Sequence, residues 1–168
     1  MATTSTTGRQ HSTPHGTFYS LATQAIANTA AVQAIALEYD SDVHELTHST
    51  VTNNSRITVP YTGSYEVIFS GIADLASGAV NKHIHIWPAI DGTAVSDSNT
   101  IVQLVSLTTE MTVAVGYILD MTAGQYVEMI TWGDATTCEW LATAASSTPD
   151  KPACPSVIVT VKMISSVT

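Results

Sequence analysis

The sequence predicts an all-β protein whose short antiparallel strands pack as a sandwich or a barrel. Three observations lead there. Apolar residues alternate with polar ones, or run as β-branched clusters, in stretch after stretch of the chain. Turn-forming pairs separate these stretches at short intervals. Charged residues make up only 11% of the chain, against about a quarter in an ordinary domain, and Ser and Thr fill the polar positions instead.

The segment Met1 to His15 has no apolar pattern. It is predicted to gain order only against a partner, as an arm. TFYSLATQAI and VQAIALEYD are read as two short strands split by Asn28-Thr29. This region is rich in Ala, and a helix is the alternative for it. RITVP alternates and ends at Pro60, and Tyr61-Thr62-Gly63-Ser64 forms a turn. YEVIFSGIA is the next strand, with a loop tip at Ser77-Gly78. In NKHIHIWPAI, His83 and His85 fall on one face and Ile84 and Ile86 on the other. Asp91-Gly92 is a strong hairpin signal. TIVQLVSL and MTVAVGYILDM follow as strands, then a turn at Ala123-Gly124 and the strand QYVEMITW. ATAASSTPDKPACP reads as a loop, and SVIVTVKMI as a final strand.

VHELTHST contains His44, Glu45 and His48 in the spacing H-E-x-x-H. On a helix that spacing puts two imidazoles on one zinc ion and a carboxylate beside its water. A helix is not predicted here. The turn-like EYDSD precedes the motif, and STVTNNSRITVP, rich in β-branched residues and turn formers, follows it. Asn53 and Asn54 also stand where the extended motif needs a Gly and later a His. If the stretch is extended, Glu45 faces away from both histidines. A polar loop or edge strand is therefore the expectation, with no metal site and no cofactor.

Other functions are bounded by composition. The formal net charge is -9, from five Lys and Arg against fourteen Asp and Glu. No basic run is present, so nucleic acid is not an expected partner. No apolar run nears the ~18 residues of a membrane span, and the N-terminus lacks the layout of a secretory signal. Cys138 and Cys154 read as unpaired thiols, with pairing across their single loop as the alternative. The sequon Asn53-Asn54-Ser55 carries little meaning without a secretory route. No Ser-His-Asp order and no G-x-S-x-G suggests a nucleophile. Asp40 and Asp42 could hold a cation, His83 and His85 could form a metal-binding or proton-sensitive group, and Trp87, Trp132 and Trp140 could bind sugar. A solvated loop, a half-exposed strand face and core or interface packing are the preferred readings of these groups. No catalytic residue is expected.

Several stretches in sequence carry a family resemblance: GTFYSLATQAI with IALEYD, SRITVPYTGSYEVIFSG, HIHIWPAIDGTAVSDSNT, LDMTAGQYVEM and PSVIVTVKMI. Together the chain resembles the trimeric jelly-roll family of complement and tumour-necrosis-factor-like domains, in the form found in virion proteins of tailed bacteriophages. Its signature turns fall at Pro60, Gly63, Tyr65, Gly92 and Gly124. Gln125 and Asp91 depart from the family pattern, which has Asp and Asn at these places. The resemblance implies an antiparallel jelly-roll sandwich over residues 16–168, preceded by an arm over residues 1–15. It implies a homotrimer that cements or decorates a phage capsid, with the major capsid protein as partner. Arg9, His11 and His15 are the candidate capsid contacts of the arm. The expected location is the capsid surface of the virion, after synthesis in the host cytoplasm. The alternative is the tip of a tail or head fibre that binds a host surface receptor or glycan. A fibre tip is expected at the end of a longer chain with a coiled or repetitive shaft. This sequence starts at Met1 and has no heptads, so the cement role is the first expectation.

Overall fold

The computed structural model describes residues 13–166, all strand, turn and loop. Eight principal strands are β1 (His15–Ser20), β2 (Tyr39–His44), β3 (Gly63–Leu75), β4 (Lys82–Ile90), β5 (Thr100–Leu104), β6 (Met111–Met121), β7 (Tyr126–Gly133) and β8 (Val157–Ser166). All the pairings between them are antiparallel. The first sheet runs β2-β1-β8-β3-β6, and the second has β5-β4-β7 at its centre. Short segments extend both. Cys138–Trp140 pairs with the end of β3, while Ile57–Thr58 and Thr47–His48 continue the second sheet beyond β7. Two antiparallel sheets connected in this order form a jelly roll.

Alternation in the sequence becomes alternation in burial. In β3 every second residue from Gly63 to Leu75 is buried. Tyr65, Val67 and Phe69 meet Val157, Val159 and Val161 of β8 and the inward residues Ile84 and Ile86 of the second sheet in one core. Trp140 is fully buried against the edge of Phe69, with ring centroids 4.9 Å apart. It lies where a Cβ on Gly71 would come within 2.8 Å of its ring, so a glycine is needed there. Its indole N–H donates to Thr131 Oγ1 at 3.1 Å, and that hydroxyl donates to the His85 carbonyl at 2.8 Å. The indole N–H of Trp140 and the Thr131 hydroxyl are thus both paired inside the core.

The Ala-rich N-terminal region is extended, as the strand reading had it. Ile35 and Leu37 are both buried, at the two-residue spacing of a strand. Its ladders are short, and side chains take over their task. Gln24 both donates to the Ala36 carbonyl and accepts from the Ala36 amide. Gln33 does the same for Ala25 and Ala27. His15, placed in the arm by the sequence reading, is instead the first residue of β1, opposite Lys162 and His44. Even Pro14 is tied to the sheet, because its carbonyl accepts from the Met163 amide at 2.9 Å. The tie comes from backbone pairing, which the lone proline between Thr13 and His15 does not advertise. Arg9 and His11 lie outside the described residues.

The signature turns have physical causes. Asp91 and Gly92 both take positive φ, 49° and 78°, in the two-residue turn that joins Ile90 to Thr93. Gly124 has φ 88° with nothing near its absent Cβ, so backbone conformation alone selects glycine. A Cβ on Gly63 would strike the Ser165 carbonyl oxygen, where β8 bulges against β3. Tyr65 is fully buried, and its hydroxyl donates to the Tyr61 carbonyl at 2.8 Å across the turn that follows Pro60. The two departures from the family pattern meet each other. Gln125 Nε2 donates to Asp91 Oδ2 at 3.0 Å, and the Tyr126 amide donates to Asp91 Oδ1 at 3.0 Å.

Asp91 therefore anchors two turns at once. Asp91→Ala is expected to cost about 1–2 kcal/mol through two lost bonds at an exposed site, read as a lower urea midpoint with unchanged slope.

Candidate functional site

The HELTH stretch does not form a site. His44 ends β2, Glu45 turns the chain at φ 59°, and His48 enters the second sheet beside Ile57. The two histidines serve different neighbours. His44 lies beside the His15 ring, with centroids 5.6 Å apart. His48, with a side chain only 1% exposed, packs on Phe18 and bridges Asp40 Oδ2 (3.3 Å) to the Asn54 carbonyl (3.1 Å). This ring joins β2 of one sheet to the loop that enters the other. Asp40 is engaged there, while Asp42 sits at φ 52° in the bulge of the edge strand.

The other candidates also have structural partners. His83 Nδ1 is 3.1 Å from Asp134 Oδ2, and the His83 amide donates to Asp134 Oδ1 at 2.9 Å. Burial pushes the Asp134 carboxyl up, but the His83 amide and ring, with Lys82 nearby, hold it below the usual carboxylate range. His85 bonds Asn99 at 3.0 Å and meets the edge of Trp132. Trp132 donates to the Thr29 carbonyl at 2.8 Å. Trp87 and Trp132 are half-buried on the outer face of the second sheet, whereas Trp140 belongs to the core. Both cysteines are free thiols. Burial pushes the Cys138 thiol up, which keeps it inert. Among the described residues no group of three or more metal-ligating side chains comes together.

The outward face of the first sheet is the surface that stands out. Cross-strand registers place its residues in rows. One row reads Tyr39, Tyr19, Ile158, Ser70 and Ala114, and it begins with two stacked rings 5.4 Å apart. The next reads Ser41, Thr17, Thr160, Ile68 and Gly116. Neither row carries a charge. Beyond them lie His15, Lys162, Glu66 and Ile118. Ile68 is 40% exposed, Tyr39 46% and Ile118 70%. One free edge of the same sheet is β6, eleven residues with no proline and no charge before Asp120. A long uncharged edge of this kind is a ready surface for another chain. Beside the face, a groove of about 770 Å³ is lined by Pro14, Pro60, Tyr61 and Lys162 to Ser166.

Sequence reasoning missed this face as a unit. Its signal was present: strands whose polar positions hold Ser, Thr, Ala and Gly in place of Lys and Glu. What the sequence alone could not give is the order of the strands, which brings β1, β3, β6 and β8 side by side.

No protein-family model matches the sequence, and no curated protein matches it. Among solved structures the chain is similar to the globular domain of the zebrafish complement 1qA protein. The TM-score is 0.59 at 9% identity, and the match covers 92% of this chain and 99% of that one. The likeness is one of fold, the complement-type jelly roll.

One charge pair opposes assembly of the first sheet itself. Glu139 stands directly opposite Asp74. Burial first, and the Asp74 charge second, raise the Glu139 carboxyl above its usual range. A carboxyl raised on folding favours the folded state when protonated, and that contribution is lost as pH rises through the raised value. Glu139→Gln is expected to stabilise the protein at pH near 7 and to change little at pH below ~4. Urea midpoints at the two pH values measure this, and equal effects at both would remove the electrostatic cause.

Proposed function

We propose that this chain is a non-catalytic structural protein that assembles as a homotrimer and decorates the capsid of a tailed bacteriophage as a cement. The single observation that carries the assembly is the pair of uncharged rows across the outward face of the first sheet, flanked by the unpaired edge of β6. A face of one copy set against the edge of the next is a heterologous contact, and such contacts close into a ring when the rotation is threefold. The assignment to a virion rests on the ordered motifs from GTFYSLATQAI to PSVIVTVKMI and on the Thr-rich sequence before Thr13, which has no apolar pattern and is read as an arm. The partner of the arm is the major capsid protein, with Arg9 and His11 as its candidate contacts. The site of action is the virion surface.

The mechanism is mechanical. A ligand that binds only the assembled shell stabilises that shell by linkage. Three arms on one trimer act together, so contacts that are weak singly give tight attachment. Receptor or glycan binding at a fibre tip is a second reading, favoured by Trp87 and Trp132 flanking His85 on the outer face of the other sheet.

Two measurements test the proposal. Light scattering over a range of concentrations is expected to give a mass three times 17.7 kDa. A monomer throughout overturns the trimer. Deleting residues 1–12, which spares the Pro14 bond and β1, is expected to leave the thermal midpoint within a few degrees of the full chain while particle occupancy falls sharply. Full decoration by the truncated protein removes the arm as the attachment device.

A further inference from the structure

Eight glycines lie among the described residues, and seven of them have a reason inside the chain. A Cβ on Gly16, Gly63, Gly71 or Gly133 would come under 3.0 Å from a neighbouring atom, and Gly78, Gly92 and Gly124 take positive φ. Gly116 has neither reason. It stands exposed in the middle of β6, outside the left-handed region, and the nearest atom to its absent Cβ is Ile68 Cγ1 at 4.0 Å. No bulge calls for it, because β6 pairs with β3 in unbroken register from Met111 to Met121. A glycine inside a strand weakens it, and a β-branched residue would serve a free-standing strand better. What remains is close approach from outside the chain. The surroundings agree. Gly116 stands opposite Ile68 and leaves its flank bare, with Ala114 and Ile118 on either side along the same face of β6. Ile68 and Ile118 are both exposed. This notch lies where the two uncharged rows reach the free edge of β6.

We propose that Gly116 is a point of close approach between copies, where the chain of a second copy packs against bare backbone. The inference rests on the trimer proposed above and names a residue on which its contact depends. A side chain at this position would hold the two chains apart, and the packing around it weakens steeply with distance. In a single copy the same side chain would only cover Ile68 and support the strand. One substitution therefore acts in opposite directions on the assembly and on the fold.

Substitution by graded size tests this. Gly116→Ala and Gly116→Val are expected to raise the concentration at which the trimer half-dissociates in the order of side-chain volume, the valine by about tenfold or more. Light scattering over a dilution series reads that effect. At a dilution where the wild type is monomeric, the urea midpoints of both variants, followed by circular dichroism, are expected to equal or exceed that of the wild type. If dissociation and unfolding coincide, the thermal midpoint of the trimer is expected to fall from glycine to alanine to valine, and a rise overturns the proposal. Wild-type association in the valine variant overturns the close approach while leaving the trimer standing. A lower monomer midpoint for the alanine variant also overturns it, because the glycine then has a reason inside the chain. Lost particle occupancy with unchanged association assigns the notch to the capsid partner and overturns the contact between copies. A wild-type protein that stays monomeric at every concentration removes the trimer itself, and the contact with it.

Discussion

The structure depends on one constraint: β3 must be paired on both edges for most of its length. A strand of thirteen residues whose inner face carries Tyr65, Val67 and Phe69 cannot sit at a sheet margin without exposing a core. On one side β6 pairs with it from Gly63 to Ala73. On the other side the task is shared, because β8 covers Gly63 to Gly71 and Cys138–Trp140 covers the rest. The handover at Gly71 to Ala73 is where Trp140 enters the core. That position makes a small residue at Gly71 necessary and draws Thr131 and the His85 carbonyl into one hydrogen-bonded line. Moving β3 by one residue would turn Phe69 and its neighbours outward, so the register, the core and the outward face are set together.

Strand positions were legible in the sequence because alternation has a single cause, one buried face per strand. His83 and His85 fall opposite Ile84 and Ile86 for that reason. The turns at Asp91-Gly92 and Ala123-Gly124 were legible because positive φ selects few residues. Residues 23–40 were ambiguous because their support is not periodic. Gln24 and Gln33 hold neighbouring backbone through side-chain amides, and no local pattern distinguishes such a glutamine from one in a helix. The start of β1 was misplaced for a similar reason. Thr13 and Pro14 carry no apolar signal, and the bond from Met163 that fixes Pro14 comes from the far end of the chain.

H-E-x-x-H shows how a motif loses its chemistry when its backbone changes. The spacing brings two imidazoles to one metal only when the backbone turns through a helix. Here Glu45 reverses the chain, so His44 stays with the first sheet and His48 crosses to the second. His48 gains a different role. Buried on Phe18 and bonded to both Asp40 and the Asn54 carbonyl, it fastens the sheets at the end where β2 would otherwise be held only by β1.

The scarcity of charge follows from the same architecture. Many of the acids are turn residues before they are surface charges. Asp42, Glu45, Asp91 and Asp97 all take left-handed backbone conformations, where short polar side chains are better tolerated than apolar ones. Asp134 holds the His83 amide, and Asp120 accepts from Ser64 at the end of β6. The broad middle of the first sheet is left to Thr17, Thr160, Ser70, Ala114 and Gly116, with Ile158 and Ile68 among them, and these rows carry no charge to desolvate. A monomer gains nothing from such a surface, since lysine and glutamate there would improve solubility at no cost to the core. A chain that buries this face against its own copies gains close packing over several strands at once.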